Sequence, residues 1–119
     1  MHSPLENEEV GLGMGSDGHT ASLFPGTGAI HEQARWVVSE WVEKFSAFRI
    51  TLTAPILNNA ACVVFVAGGK EKANTLQSVL QGDYCPERLP AQLIQPIDGK
   101  LLWLVDRAAA SLLRLDHTE

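Results

Sequence analysis

The residues able to do chemistry in this 119-residue chain crowd together near its N-terminus. Gly13-Met14-Gly15-Ser16-Asp17-Gly18-His19 sets an acid and a histidine among glycines in a turn-like run, and Thr20 to Phe24 carry it on to a Pro25-Gly26 stop. Glycines let a backbone take positive φ and approach a ligand closely, and the N–H groups of such a turn, backed by a helix N-terminus, form an anion-binding cup. A histidine inside such a cup is a candidate general base.

Several readings of this stretch compete. Gly13-x-Gly15-x-x-Gly18 matches a dinucleotide fingerprint, but that mechanism needs a full strand before it and a long helix after it. The chain offers Asn7-Glu8-Glu9 before and Pro25 after. A metal site would use Asp17 and His19, yet no second ligand cluster stands at a fixed spacing from them. In a hydrolytic site His19 would activate water while backbone N–H groups stabilise an oxyanion, a reading that uses every part of the stretch. Ser16 and Ser22 lie nearby, but Met14 occupies the first glycine position of a Gly-x-Ser-x-Gly elbow, so a nucleophilic serine is disfavoured. An ester or lactone is electrophilic enough for activated water to attack it directly. The plain structural alternative is that His19 only satisfies hydrogen bonds in a turn.

The elements around this turn read as α/β. With 45% hydrophobic residues the chain is one domain or part of one, able to build a core. A net charge of −5, with no basic run beyond Lys70 and Lys72, leaves no nucleic-acid footprint. No apolar run approaches the ~20 residues of a membrane span, and residues 1–9 are acidic where a signal peptide is basic and then apolar, so no membrane contact and a cytoplasmic location are expected. Cys62 and Cys85 have no metal or disulfide spacing and read as reduced thiols.

In chain order, residues 1–9 read as a polar leader and 10–119 as a partial α/β domain. Val10 to Leu12 is at most a stub of strand, and Thr20 to Phe24 about one helical turn. Arg35 to Val42 fits a strand start or a short helix equally well. Phe48 to Thr53 reads as a strand, Ile56 to Ala61 as a short helix behind Pro55, and Cys62 to Ala67 as a central strand buried on both faces. Lys70 to Gln81 spaces Ala73, Leu76, Val79 and Leu80 as a helix. Gln92 to Gln95 predicts a short strand and Leu101 to Val105 another, and Asp106 can cap a final helix through Leu113. Such alternation argues for a parallel sheet with helices on its faces.

Read together, Gly13 to Gly26 resembles the signature of the 6-phosphogluconolactonase family, and three later blocks agree. These are Arg49 to Asn58, Val64 to Ala73 and Gly99 to Ala110, in the family's order and approximate spacing. The sibling glucosamine-6-phosphate deaminases share the Gly-x-Asp-Gly-His core but continue with Asn-Glu where this chain has Leu23 and Phe24. The resemblance implies a partial doubly wound, mainly parallel sheet with flanking helices. It also implies hydrolysis of 6-phosphoglucono-δ-lactone, a sugar-phosphate lactone of the pentose phosphate pathway, without metal or cofactor. His19 matches the general base, Asp17 with Gly15 and Gly18 shapes the sugar site, and Lys72 matches a lysine that contacts substrate. Arg49 could contact substrate or pin a neighbouring loop, Lys70 reads as a solvated helix start, and Trp103 and Leu57 read as core.

Family members run to roughly twice this length, with a Gly-Gly-Ser/Thr-Pro phosphate loop and a substrate-gripping arginine in an N-terminal half that has no counterpart here. Asn7 to Gly11 stands where the family has an apolar strand. The expectation is therefore the C-terminal half of such an enzyme behind a short leader. It would associate with another copy or with a missing N-terminal half, and would be either an impaired or partner-dependent hydrolase or a non-catalytic remnant or interaction module that retains the fold.

Overall fold

The computed structural model describes residues 4–114; the first three residues and the last five lie outside that range. Three strands, β1 (Glu9–Gly13), β4 (Cys62–Ala67) and β5 (Lys100–Val105), form a parallel sheet in the order β1-β4-β5. Two further strands, β2 (Val37–Val42) and β3 (Ala47–Leu52), form an antiparallel hairpin of their own. Among the described residues there are two α-helices, α1 (Ala54–Leu57) and α2 (Ala73–Gln81), the latter entered through a 3-10 turn over Lys70–Lys72, together with short 3-10 turns elsewhere. This is the expected α/β class, with the parallel strands joined by the crossovers that such pairing requires. Among the described residues no helix is long and apolar enough to cross a membrane.

β4 is central, as its β-branched run predicts, but only one of its faces is buried. Val63, Phe65 and Ala67 point into the core with Ile56 and Leu57 of α1 and Leu76 of α2, and Phe65 stacks on Trp103 of β5 at 4.0 Å. The alternate residues lie on the other face, where Val66 is 59% and Leu104 58% exposed. Both helices pack on the core side, so the opposite face of the sheet stands uncovered among the described residues.

Several local expectations are corrected. The stub at Val10 to Leu12 is a five-residue strand, because β4 supplies a parallel partner from Glu9↔Cys62 to Gly13↔Val66. Just ahead of this strand the Glu8 carbonyl accepts from the N–H groups of Ala61 and Cys62 at 3.0 and 3.3 Å. Thr20 to Phe24 forms no helical turn but an isolated bridge between Thr20 and Leu23, with Ala21 at φ 51°. Its polar groups are engaged sideways, Thr20 Oγ1 donating to the Gly13 carbonyl and Ser22 N–H to Thr51 Oγ1. Helix α1 starts and ends earlier than the predicted Ile56 to Ala61. Gln92 to Gln95 is no strand. A 3-10 turn over Pro90–Leu93 opens on the proline, and the buried Gln92 amide bonds loop backbone instead. Asp106 does cap, accepting from Ala109 N–H at 2.8 Å, but residues 107–112 form a series of turns in place of the expected helix.

Candidate functional site

The site is built where β1 ends. Met14 is buried as an anchor, the chain turns so that Gly18 N–H reaches the Gly15 carbonyl, and it closes with Gly15 N–H on the His19 carbonyl, both at 2.9 Å. This loop sets Asp17 and His19 against each other. Asp17 Oδ1 accepts from His19 N–H at 3.0 Å and meets His19 Nδ1 at 2.5 Å, with the two side chains about equally exposed, 30% and 29%. The two glycines have separate reasons to be there. A Cβ on Gly15 would overlap the imidazole and the Asp17 carboxylate, while Gly18 takes φ +86° with Leu89 packed where its Cβ would sit. The N–H groups of Gly15, Gly18 and His19 are thus consumed inside the turn, so the expected anion cup is corrected at these three positions: they hold the pair together.

Three elements converge on the turn from elsewhere. Lys72, just before α2, donates from Nζ to the Met14 carbonyl at 2.7 Å, and Thr75 Oγ1 donates to the Ser16 carbonyl. Phe24 stacks on the His19 ring at 4.3 Å, and Phe45 from the hairpin tip meets Phe24 edge-on. Arg49 on β3 lies over the Phe45 ring at 4.8 Å and the Phe24 ring at 6.0 Å, so it joins the cluster one aromatic layer away from His19. Lys44 at the hairpin tip pairs with Asp17 Oδ2 at 3.2 Å.

Lys44, Phe24, Phe45 and Thr75 escaped the sequence reading of the site. Lys44 lies 27 positions from Asp17, between Val42 and Phe48, where the sequence predicts no element. Its one visible signal is a lone basic residue between Trp41 and Phe45 ahead of a strand.

Burial pushes the Asp17 carboxyl upward, but hydrogen bonds from the His19 ring and backbone and from Lys44 outweigh it and hold the pKa at about 2. Asp17 is therefore an anion at neutral pH. In neutral imidazole the nitrogen facing a carboxylate carries the proton, which leaves Nε2 of His19 as the acceptor. Among the described residues no protein group bonds Nε2. An open depression of about 450 Å³ runs past His19 and Ala21 along Gly11 to Gly15, and a separate cleft of about 530 Å³ is lined by Asp17, Phe24 and the hairpin residues Glu40 to Lys44. No group of three or more His, Cys, Asp or Glu side chains converges among the described residues, and Cys62 and Cys85 are free thiols.

The sequence profile of a family described as "Glucosamine-6-phosphate isomerases/6-phosphogluconolactonase" matches residues 7–103. The chain belongs to that family. It is 47% identical over 104 residues to a 6-phosphogluconolactonase of Homo sapiens, covering 86% of this chain and 40% of that protein. A probable 6-phosphogluconolactonase of Arabidopsis thaliana is 43% identical over 106 residues, with the same coverage of 86% and 40%. Among solved structures, 6-phosphogluconolactonase from Trypanosoma cruzi superposes with a TM-score of 0.77 at 32% identity, covering 90% of this chain and 41% of that one. The chain thus spans about 40% of the length of the curated relatives it matches.

Proposed function

We propose that this chain carries the catalytic turn of a lactone hydrolase acting on 6-phosphoglucono-δ-lactone. The observation that carries the reading is the 2.5 Å contact between His19 Nδ1 and Asp17 Oδ1, which turns Nε2 into a proton acceptor beside an open depression. Nε2 takes a proton from water as the water oxygen bonds to the lactone carbonyl carbon. The carbonyl oxygen becomes the oxyanion of a tetrahedral intermediate. Collapse breaks the bond to the ring oxygen, which receives the proton from the imidazolium, and the product is the open-chain acid. Asp17 stays ionised throughout and stabilises the imidazolium between the two proton transfers. Gly15 and Gly18 shape the turn, while Lys72 and Arg49 supply positive charge toward the phosphate or carboxylate end of the substrate. No step calls for a metal or cofactor.

A second reading rests on the openness of the depression, which lies along the β1 edge beside the uncovered sheet face. In it the chain keeps the fold and binds sugar phosphate without turning it over, since loss of substrate positioning alone removes several kcal/mol of catalysis. A spectrophotometric lactone-hydrolysis assay of the chain and of His19→Ala separates the two. Turnover abolished by the substitution supports the hydrolase. Absence of turnover together with a thermal shift on adding 6-phosphogluconate supports the binding reading, and neither response argues against a sugar-phosphate site.

We also propose an occupant for the bare sheet face. Relatives carry more than half their length outside the matched part, and a segment of that kind would cover Val66, Leu102 and Leu104 and close the depression beside His19.

A further inference from the structure

We infer that Lys44 is a positioning residue for the Asp17–His19 pair, holding Asp17 Oδ2 from the hairpin tip so that Oδ1 stays on the imidazole. The catalytic meaning of this role rests on the hydrolase reading above, but the geometry stands without it. The carboxylate is divided cleanly. Oδ1 takes both His19 contacts, at 3.0 and 2.5 Å, and Oδ2 takes the Lys44 ammonium at 3.2 Å. An aspartate held by one oxygen turns readily about its last side-chain bond, because that torsion is broad and two-fold. Holding the second oxygen removes that freedom.

An exposed ion pair ordinarily does little, and Lys44 is 59% exposed. Its position, however, is fixed by more than the pair. The preceding Val42 is buried, the following Phe45 packs edge-on against Phe24, and Ser46 at φ 47° returns the chain into β3. The ammonium itself lies 5.6 Å from the Phe45 ring centre and 6.0 Å from that of Phe24, the ring that supports His19. The hairpin tip therefore delivers one cation to the carboxylate oxygen that the histidine leaves open.

The other charged groups around the pair are Glu43, Glu40 and Arg49 of the same hairpin and Lys72 ahead of α2. Glu43 at the same tip is engaged by the Trp41 indole, Glu40 lines the cleft, Arg49 lies over the rings, and Lys72 bonds the Met14 carbonyl. Among the described residues none of these cations other than Lys44 makes an ion pair with Asp17. When His19 gains a proton, imidazolium and ammonium share one carboxylate, which keeps Asp17 ionised and eases the return of the proton.

The test uses the full chain as wild type, Lys44→Met, Lys44→Gln and Lys44→Arg, with amide spectra as a control for folding. Imidazole nitrogen NMR reports which ring nitrogen of neutral His19 carries the proton, and carboxyl carbon NMR follows the titration of Asp17. Wild type and Lys44→Arg are expected to keep the proton on Nδ1. Lys44→Met and Lys44→Gln are expected to move it toward Nε2 and to raise the Asp17 midpoint by about one pH unit. A tautomer and midpoint unchanged in a folded Lys44→Met or Lys44→Gln would overturn the inference. Lactone hydrolysis is assayed separately. If it is absent while the tautomer responds to Lys44, the hydrolase reading fails and the tether stands; hydrolysis with no such response leaves that reading and removes the tether.

Discussion

Asp17 and His19, two positions apart, meet side chain to side chain at 2.5 Å because Gly15 presents no Cβ to the space that the imidazole and carboxylate occupy. The close pair is thus a property of the whole turn. It gives the histidine a fixed tautomer, and the first prediction concerns that tautomer. In a lactonase-active preparation, Asp17→Asn and His19→Ala are each expected to lower kcat by about 10²–10⁴. Steady-state hydrolysis of the lactone measures this, and a rate within twofold of wild type for either variant would remove the pair from the mechanism.

Asp17 also links stability to pH. Its folded pKa of about 2 lies below the ~3.9 of an unfolded aspartate. The stabilisation is therefore fully present above about pH 4 and is lost as the pH falls toward 2. Glu32 and Asp106, whose carboxyls are also held down by hydrogen bonds, contribute to the same acid limb. Urea midpoints measured from pH 6 to pH 2 are expected to fall less steeply for Asp17→Asn than for wild type. Parallel curves would deny Asp17 a share in the acid response.

The two turn glycines should fail differently when given a methyl group. Gly18→Ala forces a side chain into φ +86° against Leu89 and is expected to cost about 1–3 kcal/mol of folding stability. Gly15→Ala instead pushes apart the imidazole and carboxylate. It should lose the Nδ1–H tautomer and most activity while costing less stability. Denaturant unfolding and imidazole NMR on the two variants check the contrast, and equal effects on both readouts would contradict it.

Lys72 and Arg49 carry the proposed charge toward substrate. Lys72→Met is expected to weaken binding of 6-phosphogluconate by about 10–100-fold, the scale of one charge-assisted hydrogen bond. Arg49→Ala, one ring removed from His19, should have a smaller effect. Calorimetric titration measures both, and undiminished affinity in Lys72→Met would take that lysine out of the substrate site.

The uncovered sheet face predicts association. Val66 and Leu104 are register partners on β4 and β5, exposed side by side on an apolar surface. Light scattering should show a mass that rises with concentration, and Val66→Lys with Leu104→Lys should suppress the rise. Co-expression with a polypeptide corresponding to the relatives' unmatched length should give a one-to-one complex instead. A compact monomer at high concentration that also ignores that polypeptide would leave the face without an occupant.

Much of this was written locally in the chain. The β-branched run of β4, the helical spacing of α2 and the apolar β5 are short-range signals, and the sequence placed each of them within a few residues. The Gly-rich turn with Asp17 and His19, and the family to which the chain belongs, were legible for the same reason, since motif and pair lie within one stretch. Elements that depend on a distant partner were misread. Val10 to Leu12 is a strand because β4 runs beside it, and Thr20 to Phe24 is not helical because Thr20 and Ser22 bond to Gly13 and Thr51. Gln92 lies in a buried 3-10 turn because its amide satisfies backbone across the 83–85 loop.

What the sequence determined by itself is therefore the identity of the chemical groups and the local elements that carry them. Tertiary structure alone decided how those groups are held. Lys44 reaches Asp17 across 27 positions, Lys72 reaches Met14 across 58, and Gly15 yields its side-chain space to His19. Such contacts arise from the packing of separate elements around a common core, and neither propensity nor periodicity along the chain encodes which distant side chain will arrive.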